Sequence, residues 1–452
     1  MYRQESWARF ARPAPSPEGW PFTYFACYTY AMKDRLVRLL RWSEKYTKTD
    51  MLYLAHGGFW TMLGYAIQVL GGIIITVALA NFIPRETFGT YQFVIATAAV
   101  LGVFTLTGMG TAINRAVAQG KPGAFRSGVR TKLKWSIGIV LASGAVASYY
   151  FYQGNDLLGY AFLIVGSATP LIDSFRMYEY FLNGQRRFKE AAILGSIRKL
   201  FPILAILTAL TLTDNVLILL ATHFVSNAFS FLLMYGVVVY RHRPPVEADA
   251  DAVGFSKHLS VIALFSRAAS HADKILIWHF LGAVPVAIFT VAQVATRYSG
   301  SLINTLSQVA LPKLATRDLP TLQRTLPRKV LLFSGVMAIA TVLYILLAPY
   351  VFGVLFPEYP ESVALTQALA LTLLFVPRSL YSKALTAHAC TRELYLLGII
   401  NPAIKLTALA VCLPLFGLWG AVYAFIISGA IEMVVVYVLF KRAKSGDGIS
   451  QP

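Results

Sequence analysis

Charge is what this sequence has least of. Only 13% of its 452 residues are charged, against roughly 25% in an ordinary soluble domain. That shortage excludes a water-soluble globular domain with a normal polar surface. Cysteine is almost missing too: Cys27, Cys390 and Cys412 lack metal or redox spacing, which leaves neither a disulfide framework nor a thiolate metal cluster. No Gly-x4-Gly-Lys-Ser/Thr run occurs, so ATP hydrolysis by this chain is not expected. The one Asp-x-Asp pair, Asp249-Ala-Asp251, falls in a connection. The clustered acids of a metal-dependent glycosyltransferase or polymerase are therefore lacking, and no cofactor or metal is expected. Met1–Tyr30 is rich in Pro and aromatics but holds no apolar core long enough for a signal peptide.

What is abundant is apolar sequence. Twelve stretches, near 57–80, 88–110, 134–152, 157–182, 191–213, 215–240, 258–281, 286–311, 330–351, 362–386, 393–414 and 417–440, are each about the ~20 residues needed to cross a ~30 Å hydrocarbon core. The expected class is an all-α polytopic membrane protein of about twelve transmembrane helices. Its domains would be a leader (1–50), a first lobe (51–240), a linker (241–257), a second lobe (258–444) and a disordered tail (445–452). Within the leader, Lys33–Lys48 is basic and amphipathic, suited to an anionic membrane surface; Met32 and Met51 offer alternative starts.

The basic residues are distributed by side. Thirty of the 40 Lys and Arg residues fall in Lys33–Lys48 of the leader, in alternate connections or just after the last span, whereas the opposite connections hold only Arg85. Translocated loops avoid Lys and Arg, so both termini are expected in the cytoplasm of a bacterial inner membrane. The net charge of +19 is thereby topological, and nucleic acid is not expected as a partner.

The chain also repeats itself about 200 residues apart. Leu79–Tyr91 closes the first span and opens the second, as Ile277–Phe289 does for the seventh and eighth. Phe82 then matches Phe280, Tyr91 matches Phe289, Arg176 falls opposite Arg378, and Lys199-Leu200 corresponds to Lys405-Leu406. Six spans per repeat return the chain to its starting side, which makes the halves parallel lobes with a substrate site expected between them.

Four segments carry a family resemblance: Leu79–Tyr91, Gly108–Arg115, Ala272–Ile277 and Phe416–Ala424. Over roughly Asp50 to Lys444 the chain resembles polysaccharide-biosynthesis flippases, the O-antigen-type lipid-linked oligosaccharide translocases of the multidrug/oligosaccharidyl-lipid/polysaccharide exporter superfamily. The resemblance implies two six-helix lobes around a central cavity and movement of an undecaprenyl-pyrophosphate-linked glycan from the inner to the outer leaflet. Its implied partners are that polyprenyl-pyrophosphate-linked glycan, membrane lipids and the polysaccharide polymerase machinery. Related peptidoglycan-precursor flippases carry two extra terminal helices, for which no apolar segment is seen here.

Ionisable residues inside the spans point to the site. Arg176, Lys199, Arg267, Lys274, Arg297, Arg378 and Lys405 are basic; Asp173, Glu179, Asp273 and Glu432 are acidic. Facing lipid, these eleven would cost on the order of 30 kcal/mol, so most must pair, snorkel or line a hydrated cavity. The surplus is positive, as holding a pyrophosphate requires. In the eighth span Gln293, Arg297, Ser301, Asn304 and Gln308 form one polar stripe, and in the seventh Arg267, His271 and Lys274 recur at i, i+4, i+7. Arg267 and Arg297 both fall near mid-span, where planar five-donor forks suit phosphate oxygens.

The expected cargo-binding set is Arg267, Arg297, His271, Lys274, Arg378, Lys405, Gln293 and Asn304, with Arg267 pairing with Asp273 or another lobe carboxylate as the structural alternative. For Lys274, snorkelling toward the outer face is the competing reading. Asp173, Arg176 and Glu179 lie three apart and are expected to neutralise one another as a gate or pairing set, which Asp273 joins. Lys199 is read as an anchor, Glu432 as a buried helix contact or coupling-ion site, and the stripe Thr61, Tyr65, Gln68, Gly72, Thr76 as sugar-binding or helix-packing. A flippase is thus the leading expectation. A cation antiporter would need a carboxylate-rich cavity, and an enzyme clustered acids.

Overall fold

Helices are the only regular elements among the described residues, as expected where every backbone amide in hydrocarbon must be satisfied within its own segment. The computed structural model describes residues 51–245, 250–309, 314, 318–388 and 390–443, without the side chains of 51–59, 61, 299–309 and most of 250–264. The leader with Lys33–Lys48 and Cys27, the linker acids Glu247 and Asp249, and the tail from Ser445 lie outside the described residues, as do the side chains of Ser301, Asn304 and Gln308. The described residues from Gly57 onward form one packed unit.

Eight segments are long and apolar enough to cross a membrane: Met62–Phe82, Arg85–Thr105, Asp156–Gly184, Phe188–Leu212, Val216–His242, Leu319–Leu355, Glu361–Ala387 and Thr391–Arg442. The last holds two spans, because the backbone turns at Gly417 (φ 57°, ψ −137°) and Gly420 then lies against the Cys412 carbonyl. Ile137–Tyr152, Ala250–Leu281 and Ala283–Val309 complete the twelve. The latter two carry Arg267, Asp273, Lys274 and Arg297, which lower their hydropathy. The result is two parallel six-helix lobes around a central cavity.

Local chemistry sets the breaks. Pro84 lacks an N–H and precedes the helix that starts at Arg85. The Asn155 and Asn215 side chains accept hydrogen bonds from the Leu158 and Leu217 amides at 3.1 and 2.9 Å, capping the fourth and sixth spans. Gly282, at φ 89°, separates the seventh span from the eighth.

The repeat is visible in the side chains. Phe82 and Phe280 are both exposed, whereas Tyr91 and Phe289 are both buried. The fourth span breaks at Arg176, between helices Asp156–Phe175 and Met177–Gly184. The tenth tightens into a 3-10 segment, Leu371–Arg378, that ends at the matching arginine.

The lobes meet most closely at the end bearing Arg85. There Arg85 pairs with Glu361 at 3.2 Å, donates to the Glu358 carbonyl and lies 5.0 Å from the centre of the Tyr359 ring. Asn81 donates to the Leu355 carbonyl at 2.9 Å. Gly89 abuts the Ala283 carbonyl so closely that no Cβ fits. Phe352, Phe356 and Tyr359 of the second lobe belong to the same buried cluster as Phe88, Tyr91 and Phe162 of the first. Farther in, Phe93 stacks on Trp278 at 4.4 Å. Toward the basic end the Gly108 amide donates to Ser260 Oγ at 2.9 Å.

The glycine contact gives a test. Gly89→Leu places a side chain against backbone that cannot yield, so the lobes should part at the Arg85 end. Spin labels on the exposed positions Phe82 and Val354 should then report a longer distance than in the otherwise native protein. Arg85→Ala should act in the same direction but weakly, shifting the population about fivefold or less, as befits a half-exposed ion pair.

Candidate functional site

Three cavities are lined by in-span polar residues. The largest, about 310 Å³, is lined by Asp173, Arg176, His223 and Asn227 of the first lobe and by Arg267 and His271 of the second. Asp173 is buried and accepts a 2.7 Å hydrogen bond from Thr105 Oγ1. A 3-10 turn, Gly102–Thr105, puts that hydroxyl in place before Leu106 turns left-handed at φ 50°. The Leu106 carbonyl in turn receives the buried Lys132 ammonium at 3.3 Å. Lys132, Arg176 and Arg267 are the cations whose field Asp173 feels. Of the other lining residues, His223 Nδ1 shares a 2.7 Å hydrogen bond with the Tyr91 hydroxyl, and Asn227 Nδ2 donates to the His223 carbonyl at 2.8 Å.

A second cavity, about 170 Å³, is built mainly from the second lobe and lined by His271, Lys274, Gln293, Arg297, Lys405 and Phe425 among others. Its carboxylate, Asp273, accepts a 2.9 Å hydrogen bond from Gln293 Nε2. Lys274 Nζ donates to Gln92 Oε1 of the first lobe at 2.8 Å, and Lys405 Nζ stands 4.4 Å from the Phe425 ring centre. Arg297 is exposed to this cavity. Three cations and one engaged carboxylate make the space strongly anion-attracting. A third cavity, about 160 Å³, lies between the first and fifth spans, with Glu179 and Lys199 in its wall.

Several expectations change when placed in three dimensions. Arg267 and Arg297 do not share one chamber; each lines its own, and His271 borders both. Asp273 turns to Gln293 rather than to Arg267. Within the triplet Asp173, Arg176, Glu179, both acids are charged neighbours of Arg176, and each of the three also has a partner on another helix. Glu179 pairs with Arg198 at 3.5 Å, Arg176 lies over the Phe231 ring at 5.1 Å, and Asp173 turns to Thr105. Lys274 is buried between the lobes rather than snorkelling. Lys199 lines a cavity wall rather than reaching for a helix end.

Arg378 lines none of the three cavities and instead donates to Glu432 at 2.5 Å, which uses Glu432 as a helix contact. In the first-span stripe, Tyr65 donates to the Tyr298 carbonyl at 3.4 Å and Gly72 abuts the Tyr298 hydroxyl. Cys390 Sγ donates to the His388 carbonyl at 3.8 Å, and neither Cys390 nor Cys412 forms a disulfide among the described residues. Among the described residues no cluster of His, Cys, Asp and Glu has the makings of a metal site.

Sequence reasoning passed over Lys132, Arg198, Thr105 and Gln92. Lys132 had a usable signal: Phe125, Val129 and Lys132 share one face of the amphipathic helix Ala124–Trp135, and that face is buried. Gln92 had none, since its partner is 182 residues away.

The description "Polysaccharide biosynthesis protein" belongs to the family model that matches residues 54–317. Comparison with curated protein sequences gives no match. Among solved structures, the lipid II flippase MurJ in an inward closed conformation is similar with a TM-score of 0.67 at 14% identity, over 84% of this chain and 86% of that one. A multidrug resistance MATE family transporter of the MOP superfamily is similar in its inward-facing conformation (TM-score 0.60, 13% identity, 83% and 94% covered). In its outward-facing conformation it gives a TM-score of 0.59 at 13% identity, with 86% and 94% covered. At these identities the likeness is one of fold.

The Arg378–Glu432 pair gives a stability prediction. Glu432→Gln leaves a guanidinium inside the second lobe without its carboxylate, at a cost of about 2–3 kcal/mol once the part exposure of Arg378 is allowed for. The expected readout is a lower melting temperature in detergent. The double change Arg378→Met with Glu432→Leu should recover most of the loss.

Proposed function

Because the chain belongs to the polysaccharide biosynthesis protein family, we propose that it carries a polyprenyl-pyrophosphate-linked oligosaccharide across the bacterial inner membrane, from the cytoplasmic to the outer leaflet, for surface polysaccharide assembly. In this reading both termini are cytoplasmic and the Arg85 end faces outward. The polysaccharide polymerase machinery receives the product, as O-antigen or exopolysaccharide.

One observation carries the reading: Arg297, Lys274 and Lys405 converge on one mid-span cavity whose single carboxylate is already engaged by Gln293. A pyrophosphate brings several acceptor oxygens and at least two negative charges. The guanidinium of Arg297 offers it a planar pair of donors, and the two ammonium groups add point charges. The prenyl chain needs no site, because lipid solvates it as well as protein would. His271, between the two main cavities, lets the head group pass between Arg297 and Arg267 as the lobes rearrange.

Opening the Arg85 end while Gly108 and Ser260 stay together at the basic end would complete alternating access. A negative interior favours the outward step of an anion by ~2.3 kcal/mol per charge per 100 mV. Drug or cation antiport, the alternative reading, would call for the opposite charge balance in these cavities.

The test is transport into vesicles holding the purified protein and a defined polyprenyl-pyrophosphate disaccharide. Arg297→Ala is expected to slow flipping about 30-fold, the scale of removing one partner of a desolvated charge contact. Undiminished transport by Arg297→Ala, or export of cationic dyes with no movement of the lipid-linked sugar, would refute the proposal.

A further inference from the structure

The third cavity has no role in binding pyrophosphate, yet it is furnished. Trp60 and Gln68 come from the first helix, Asn183 from the helix Met177–Gly184, and Ser196 and Lys199 from the fifth span. A flat indole, two primary amides, a hydroxyl and one ammonium are a set that grips sugars: rings lie on aromatic faces, and ring hydroxyls both donate to and accept from amides. Lys189 Nζ stands 5.4 Å from the Trp60 ring centre and helps fix the indole. At Gly195, in the same wall, a side chain would meet nothing within 4 Å, so the cavity has room there.

The charge balance narrows the choice of sugar. Glu179 is the carboxylate in this wall, and Arg198 already pairs with it at 3.5 Å. Lys199 has no ion pair or hydrogen bond among the described residues, so its charge is left for a ligand. Its field reaches His223 in the wall of the largest cavity, and its own charged neighbours are Arg198, the shared carboxylate Glu179 and Arg176. Each of the three cavities thus holds one carboxylate, Glu179, Asp173 or Asp273, beside more than one basic side chain.

We propose that this cavity is a glycan subsite, in which Lys199 selects an oligosaccharide bearing an acidic sugar by binding its carboxylate. The inference rests on the flippase reading and adds the chemical class of the cargo.

Two polyprenyl-pyrophosphate disaccharides, identical except for a terminal glucuronate or glucose, separate the possibilities in vesicles of zwitterionic lipid and in vesicles with added phosphatidylglycerol. The native protein should flip the glucuronate cargo ~10-fold faster, the scale of one charge-assisted hydrogen bond. Lys199→Gln should bring the two rates together while leaving glucose-cargo flipping unchanged, which also reports correct folding. Lys199→Arg should keep the preference.

Equal rates for the native protein, an unchanged preference in Lys199→Gln, or equal slowing of both cargos by that variant would overturn the subsite. So would loss of the preference in Lys199→Arg, or a Lys199→Gln effect that follows the vesicle lipid instead of the cargo. Failure of the native protein to move either cargo would instead remove the flippase reading itself, and the subsite with it.

Discussion

A charged side chain held at hydrocarbon depth costs a few kcal/mol unless the protein surrounds it, and this chain holds about ten of them. That constraint organises the molecule. The apolar faces of the long helices turn outward, as with the exposed run of Leu and Val on Leu319–Leu355. The charged positions turn inward and must be given partners or water. Asp173 is met by Thr105, Asp273 by Gln293, Glu179 by Arg198 and Glu432 by Arg378. Once the acids are engaged in this way, the surplus cations define what the remaining space can hold.

The same constraint explains how the lobes are joined. Lys274 lies on the second lobe, but its hydrogen-bond partner, Gln92, is on the first. Arg85 lies on the first, and its acceptors are all on the second. Each contact is strong enough to fix a register yet made of groups that water could solvate if the lobes separated. The apolar Phe93–Trp278 stack between them supplies area without committing a charge.

Much of the fold was legible because it rests on features local in sequence. Runs of about twenty apolar residues give the spans, and the sided distribution of Lys and Arg gives the alternation. The matching pairs Phe82–Phe280 and Tyr91–Phe289 give the duplication. The site was only half legible. Spacing along one helix groups His271 with Lys274, and Gln293 with Arg297, since neighbours at three and four residues must share a face, and all four line one cavity. For Asp173, Arg176 and Glu179, which also share a face, it gave the mutual charge coupling but not the added partners on other helices, Thr105, Phe231 and Arg198. It also merged Arg267 with Arg297, since equal depth along two spans says nothing about which side of His271 each will take. Lys132 was hidden by its place among residues whose charge had a topological explanation.

The aromatic contribution of the second lobe to the first lobe's core has a thermal corollary. Phe352, Phe356 and Tyr359 are at most 3% exposed, and any parting of the lobes at that end must hand part of their surface to water. Exposure of apolar surface raises heat capacity, and the attraction it opposes weakens on cooling. The balance between joined and parted lobes at that end is therefore intrinsically temperature-dependent, with chilling loosening the seam even though no polar contact across it has changed.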